Sequence, residues 1–214
     1  MQLESYKNMD LFSTPKKFDR LNIPDAEVFY MQNMGFDIPD DVVMRRLIDE
    51  TKWKDEEIFL YGKRHKQPRL IAWYGDDDKK NYSYSGIKLN PNPWTELLKE
   101  IKLHVEKLCN YEFNSVLLNY YRSEKDSIGF HSDDEKELGN APVIASVSYG
   151  EIRTFIFKSK KNKKIKNISL KLSSGSLLLM KGDTQKNWVH GINKENVKCG
   201  PRINLTFRHV EEGE

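Results

Sequence analysis

Apolar positions along this chain follow two different rhythms. From Pro93 to Leu108, Trp94, Leu97, Leu98, Ile101, Val105 and Leu108 recur at three- and four-residue steps, the spacing of one helical face. Pro93 suits a first turn, and Asn110 suits the exit. Asp40 to Asp49 reads as an earlier helix, with Asp40 or Asp41 as N-cap and Val42, Val43, Leu47 and Ile48 as apolar positions. After Tyr111 the period shortens. Ser115 to Tyr121, Pro142 to Ser148, Arg153 to Phe157, Ile168 to Leu172, Ser176 to Met180 and Arg202 to Arg208 are β-rich and separated by turn residues. Six strands in under 100 residues argue for a sandwich or jelly roll. The helices come first and would buttress one sheet, which makes the expected class α+β.

Composition narrows this only a little. The 214 residues suit one domain with a sizeable core. An apolar share of 38% and a charged share of 31% fit a polar-surfaced globular protein. No apolar stretch approaches the ~20 residues of a membrane span. The opening Met1-Gln2-Leu3-Glu4-Ser5 has no apolar core of a signal peptide, so an intracellular setting is expected: cytoplasmic for a prokaryotic source, nuclear for a eukaryotic one. Cys109 and Cys199 have no metal-type spacing and read as two thiols in a reducing compartment. Residues 1–25 mix charges with Pro15 and Pro24 and are expected to be draped or partly disordered.

The net charge of +3 matters less than its placement. Lys158, Lys160, Lys161, Lys163, Lys164 and Lys166 crowd between Phe157 and Ile168. Such a run is commonly a solvated loop, and it is also what a phosphate-tracking patch looks like.

The candidate chemistry begins with His131-Ser132-Asp133. Residues i and i+2 of an extended segment point to the same side, so one strand offers an imidazole and a carboxylate to one ion. His190 follows 57 residues after Asp133, room for about four strands between the ligands. Two histidines and a carboxylate are the ligand set of non-haem iron(II) oxygenases, and they leave open positions for a bidentate cosubstrate. Each part alone is an ordinary surface or core feature; their order around the strand run gives them weight.

The last strand adds a second constellation. Alternation places Ile203, Leu205 and Phe207 on one face and Arg202, Asn204, Thr206 and Arg208 on the other. That polar face is either the wet side of an edge strand or the lining of a pocket. The two arginines stand roughly 20 Å apart along an ideal strand. Guanidinium forks suit carboxylates, so their side chains converging on a dicarboxylate would make 2-oxoglutarate the cosubstrate. Asn119 and Tyr121 face one way on the strand before the triad and are candidate donors to the same ligand.

Together, Asn119-Tyr120-Tyr121, His131-Ser132-Asp133-Asp134, Ala145 to Gly150, Gly175-Ser176-Leu177-Leu178, His190 and Pro201 to Arg208 resemble the AlkB family of Fe(II)/2-oxoglutarate dioxygenases. The likeness spans about residues 55–210 and is greatest to the DNA-repair demethylase branch. It implies a double-stranded β-helix, or jelly roll, over 111–212, with 1–54 an N-terminal extension and helix, 55–92 nucleotide-recognition hairpins and lid, and 93–110 the buttressing helix. By the resemblance, His131, Asp133 and His190 bind Fe(II). Asn119, Tyr121, Arg202, Asn204, Thr206 and Arg208 contact 2-oxoglutarate, with Arg208 at the distal carboxylate and Arg202 nearer the metal.

The implied reaction is oxidative demethylation of 1-methyladenine and 3-methylcytosine with O2. It yields succinate, CO2, formaldehyde and the repaired base. A base inside a duplex must be flipped or single-stranded to react. Leu60-Tyr61-Gly62-Lys63 resembles the family's apolar wedge, Tyr82-Ser83-Tyr84 its substrate lid, and Asp134 a base-contacting acid. Lys160, Lys161, Lys163 and Lys164 then become candidate phosphate contacts. The expected partner is nucleic acid, DNA first, with no membrane and a monomeric chain. A related oxygenase acting on RNA or protein, and a catalytically silent nucleic-acid-binding jelly roll, are the alternatives.

Overall fold

In a computed structural model, residues 17–60, 63–76, 82–84, 87–89 and 91–211 are described. Helix α1 (Asp40–Glu50) places Asp40 and Asp41 in its first turn, where carboxylates favour the helix dipole. The N-cap is Pro39 instead of either aspartate. Its carbonyl accepts from the Val42 and Val43 N–H groups, both at 3.0 Å. Helix α2 (Glu96–Cys109) starts three residues later than its apolar rhythm suggests. The Thr95 hydroxyl captures the Leu98 N–H at 3.2 Å and so fixes the cap. Asn110 ends it in the left-handed conformation, its N–H donating to the Glu106 carbonyl.

The strands are β1 (Asp19–Arg20), β2 (Glu27–Met31), β3 (Glu57–Leu60), β4 (Lys63–Lys66), β5 (Leu70–Gly75), β6 (Tyr82–Tyr84), β7 (Ile87–Leu89), β8 (Ser115–Tyr121), β9 (Ile128–His131), β10 (Ile144–Gly150), β11 (Arg153–Ser159), β12 (Ile168–Leu172), β13 (Ser176–Lys181), β14 (Trp188–Ile192) and β15 (Arg202–Arg208). A short helix α3 (Thr184–Asn187) leads into β14. A seven-stranded antiparallel sheet runs β1-β2-β13-β10-β15-β8-β5, and a four-stranded sheet runs β12-β11-β14-β9. Two further pairs, β3–β4 and β6–β7, form within the span expected to carry recognition hairpins.

The two sheets make the jelly roll. The large sheet reaches outside 111–212, because β2 pairs with β13 from Leu177↔Met31 to Lys181↔Glu27, and β5 pairs with β8. Residues 27–31, expected to belong to an extension, are therefore a sheet strand.

Alternation divides the interior into two layers. Ile203, Leu205 and Phe207 of β15 join Val116 and Leu118 of β8 and Ala145 and Val147 of β10 beneath Leu47, Leu97, Ile101 and Val105 of the helices. Leu205 has no solvent exposure, so Leu205→Ala would cost about 2–5 kcal/mol. The opposite faces of the same strands look between the sheets, toward Phe155, Phe157, Trp188 and Ile192. Strand β15 sits between β10 and β8 with all seven residues buried. It is a central strand, and its polar face lines an interior. Among the described residues no helix is long and apolar enough to cross a membrane.

Candidate metal centre and dicarboxylate pocket

Strands β9 and β14 build the metal end. His131 pairs with His190 across them, and the register shifts beside that pair, between His190 and Ile192. Gly191 allows the approach: a Cβ there would lie 3.0 Å from the Ile128 carbonyl oxygen and 3.1 Å from that of Gly129. The imidazole rings sit 4.6 Å apart, edge to face. One ligand atom each from His131, Asp133 and His190 lie within 4.8 Å of one another. His131 Nδ1 engages the Gly129 carbonyl at 2.9 Å, leaving Nε2 for an ion. Burial, then the neighbouring His190, pushes the His131 imidazole down to about 4. Its ring is therefore neutral, with a lone pair to give, at physiological pH.

Asp133 is buried, and burial alone would keep it protonated. The Arg208 guanidinium and the two imidazoles outweigh that and hold its carboxyl well below the usual range. Arg208 Nη2 donates to Oδ1, while Oδ2 lies 3.4 Å from His190 Nε2. The Asp133 N–H donates to Oε1 of buried Gln185 on α3 at 3.0 Å. A neutral His131 imidazole and an ionised carboxylate, converging with the His190 ring, fit a divalent ion. Phe155 stacks on His190 with ring centroids 5.1 Å apart and an interplanar angle of 21°.

From this end a pocket runs between the sheets to Arg202. Asn119, Tyr121, Arg202, Asn204, Thr206 and Arg208 all line it, together with Ile128, Phe155, Met180 and Ile192. Every sequence-assigned cosubstrate residue is thus gathered in one cavity. Arg202 Nη2 donates to Ser148 Oγ at 2.9 Å. Its buried Nε and Nη1 have no hydrogen-bond partner, and its guanidinium carbon lies 5.2 Å from the Tyr121 ring centroid. Burial pushes this guanidinium down to about 10. A buried cation with spare donors fits an anionic group entering the pocket.

One assignment reverses. Arg208, expected at the distal carboxylate, contacts the candidate metal ligand Asp133, and Arg202 occupies the far end. The strand's alternation shows which side the arginines share. Which end meets the metal depends on how β9 and β14 fold back over β15.

Several supporting residues escaped the sequence reading. Ser146 accepts from Asn204 Nδ2 at 2.7 Å, and Ser148 accepts from Arg202. Their period-two spacing in Ala145-Ser146-Val147-Ser148 was the available signal. Arg69 Nε donates to Asn119 Oδ1 at 2.7 Å, both side chains buried. Arg153 is fully covered and ties two loops together, with Nη2 donating to the Asp126 carbonyl at 2.9 Å and the Asn193 carbonyl at 2.6 Å.

The substrate-side residues are less gathered. Tyr61 and Gly62 lie outside the described residues. Lys63 opens β4, and Tyr82, Ser83 and Tyr84 form β6. Asp134 is exposed beside the metal ligand. Lys161, Lys163 and Lys164 are exposed in the β11–β12 connection, whereas Lys160 Nζ donates to Asp134 Oδ2 at 2.8 Å.

Residues 40–208 match the family model described as the 2OG-Fe(II) oxygenase superfamily. The chain is 40% identical over 178 residues to the mouse (Mus musculus) and human (Homo sapiens) proteins named alpha-ketoglutarate-dependent dioxygenase alkB homolog 3, covering 79% of this chain and 61% of each relative. It thus spans about three fifths of their length. It is 36% identical over 179 residues to the mouse DNA oxidative demethylase ALKBH2, covering 79% of this chain and 74% of that protein. The solved structure of OsALKBH1 superposes with a TM-score of 0.60 at 18% identity, covering 90% of this chain and all of that one, a likeness of fold.

Proposed function

We propose, from the premise that this chain belongs to the AlkB family within the 2OG-Fe(II) oxygenase superfamily, that it oxidatively demethylates N-methylated bases in DNA. The observation that carries this is a single buried pocket with a two-histidine, one-carboxylate cluster at one end and an anion-free arginine at the other. The DNA substrate is taken from the name of the mouse DNA oxidative demethylase ALKBH2, which is 36% identical over 179 residues. Family membership implies Fe(II), 2-oxoglutarate and O2. Bound there, they supply an oxidation of the base's methyl group coupled to conversion of 2-oxoglutarate to succinate and CO2. The hydroxymethyl product then loses formaldehyde and leaves the unmodified base.

His131, Asp133 and His190 would hold the iron, with Arg208 orienting the carboxylate and Gln185 holding the Asp133 backbone N–H. Arg202 would take the far carboxylate of 2-oxoglutarate through its spare donors. Asn119, Tyr121, Asn204 and Thr206 would fix its tilt, held in turn by Arg69, Ser146 and the Asn204–Thr206 bond at 3.0 Å. Phe155, Ile128 and Ile192 keep the pocket wall apolar and exclude water. The enclosed site requires the target base to be flipped or single-stranded. Tyr61, Gly62, Lys63, Tyr82, Ser83 and Tyr84 are assigned to its reception by their likeness to the family's wedge and lid. One chain supplies every assigned ligand, so the monomer is taken as the working unit.

The test is incubation with iron(II), ascorbate and 2-oxoglutarate on 1-methyladenine or 3-methylcytosine placed in matched duplex DNA, single-stranded DNA and RNA. Loss of methyl with stoichiometric succinate supports the reading. Succinate formed without loss of methyl from any of the three moves the substrate elsewhere.

A further inference from the structure

Helix α3 has two working faces. Gln185 turns to the metal centre, where its Oε1 accepts the Asp133 N–H at 3.0 Å. Thr184 and Asn187, with Trp188 at the start of β14, engage the bend between β1 and β2, residues 21–26. Asn187 Nδ2 donates to the Asp25 carbonyl at 2.7 Å, and Trp188 Nε1 donates to the Pro24 carbonyl at 2.8 Å. Just past the bend, the Glu27 N–H donates to Thr184 Oγ1 at 3.0 Å. That hydroxyl donates to the Lys181 carbonyl at 2.6 Å.

A hairpin bend ordinarily runs over the surface and leaves its carbonyls to water. This one spends two consecutive carbonyls on two consecutive side chains, which arrive from 162 and 164 residues away. Ile23 and Ala26 are buried and join Trp188 in the inner layer. Asp25 between them takes a φ of 53°, a left-handed conformation that a residue with a Cβ enters at a cost. The bend's own backbone bonds run from the Leu21 N–H to the Val28 carbonyl and from the Ile23 N–H to the Leu21 carbonyl. It is therefore held in shape from α3 and β14 as much as by itself. Those two elements carry Gln185 and, two residues past Trp188, the candidate ligand His190.

We propose that residues 21–28 form a strap thermodynamically coupled to the metal centre. Occupancy of the centre steadies the strap, and a docked strap tightens the hold on the ion. The proposal rests on the assignment of the ion to His131, Asp133 and His190. The route is short. With an ion bound, Asp133 and His190 share one geometry. Asp133 then fixes Gln185 through its N–H, and His190 fixes Trp188 through the backbone between them. Thr184 and Asn187 lie within that span and present a hydroxyl and an amide to the strap. Coupling between two sites is reciprocal, so one factor measures both directions.

The experiment compares the full chain, metal-free and with manganese(II), by hydrogen–deuterium exchange read by mass spectrometry. Exchange across residues 21–28 is expected to slow by about fivefold or more, the lower end for two coupled sites. The turn at residues 109–114, a second locally opening segment, should keep its rate. Calorimetry gives the reciprocal arm. Ile23→Ala loosens the strap from its own side without removing a hydrogen bond to α3, and Trp188→Phe removes one donor and keeps an aromatic ring. Each should weaken manganese(II) binding, up to about that same fivefold factor. Val105→Ala, a buried change on helix α2 in the other layer, should leave binding unaltered.

A strap whose exchange is unchanged while β9 and β14 become protected overturns the proposal and leaves the metal centre in place. Equal slowing at the strap and at residues 109–114 overturns it as a general tightening of the fold. So does Trp188→Phe weakening the ion while Ile23→Ala does not, since Trp188 then acts on His190 alone. Manganese(II) that protects neither the strap nor β9 and β14 removes the ligand assignment and this proposal together. The exchange arm needs no substitution, so it decides even where a variant fails to fold.

Discussion

Arg202 and Arg208 stand six residues apart on β15, on the same face, and both are almost fully buried. Their surroundings differ. Arg208 closes on the Asp133 carboxylate. Arg202 meets a serine hydroxyl and a tyrosine ring, and among the described residues no carboxylate lies in ion-pair reach of it. Removing a cation from water costs several kcal/mol before any partner repays it. At Arg208 the protein supplies the anion itself, so the pair belongs to the fold and orients a candidate metal ligand. At Arg202 no such anion stands among the described residues and its Nε and Nη1 have no hydrogen-bond partner there, so on the proposed reading its counterion is the cosubstrate carboxylate. One residue type on one strand is a strut at one end and, on the proposed reading, a receptor at the other.

The contrast breaks most visibly in the metal-free protein. Arg208→Met leaves Asp133 ionised in the interior without its guanidinium, and unfolding in urea should show a loss of about 3–5 kcal/mol. A loss under 1 kcal/mol would mean that the imidazoles alone compensate Asp133. Arg202→Met should do the reverse. A buried cation without an anion is exchanged for an apolar chain of similar length, so the melting temperature should hold or rise. The cost appears in calorimetry with 2-oxoglutarate and manganese(II) as an iron stand-in. Binding should weaken about 30-fold or more, the lower bound for removing one partner of a buried charge pair. If Arg202→Met melts early yet binds the keto acid normally, the two arginines have been given each other's roles.

The metal end gives a smaller, additive effect. A divalent ion that binds only the folded state should raise stability by about 2.7 kcal/mol when present at 100 times its dissociation constant. Asp133→Ala should abolish most of that gain and all turnover. An ion that stabilises Asp133→Ala as much as wild type is bound somewhere other than at His131 and His190.

How far the sequence could be read follows from the range of the interactions. Helix α2 and strand β15 were legible because each writes its own period: Leu97, Ile101 and Val105 in one, Ile203, Leu205 and Phe207 in the other. The candidate metal ligands were legible as a set, and His131 and Asp133 were placed on one strand, but neither β9 nor β14 was among the six strands delimited from the sequence. Gly129 and Gly191 interrupt β9 and β14, and Gly191 is needed because a Cβ would press on the opposite backbone. The residue that lowers strand propensity is the one that permits the approach. Arg69 was illegible as a support for Asn119, because their contact joins positions 50 residues apart. The orientation of β15 toward the metal was illegible for the same reason. It is set by sheet-to-sheet packing and leaves no local pattern.

The lysines extend the comparison to the surface, where the smallest effects lie. An interior arginine must find an anion or remain a cost, but Lys161, Lys163 and Lys164 are exposed and already solvated. Changing all three to serine should therefore leave stability within about 0.5 kcal/mol. If they track phosphates, the same triple variant should weaken nucleic-acid binding alike on every sequence. The slope of log affinity against log salt should flatten by about 0.7 per lysine on single strands and about 0.9 on duplex. Lys160→Met should leave that slope nearly unaltered, since its ammonium is held by Asp134 and Gln185. An unchanged slope in the triple variant would make those three lysines a solvated loop. A slope that flattens as much for Lys160→Met as for one of its neighbours would mean that the run acts as one electrostatic patch, with Lys160 leaving Asp134 when nucleic acid arrives.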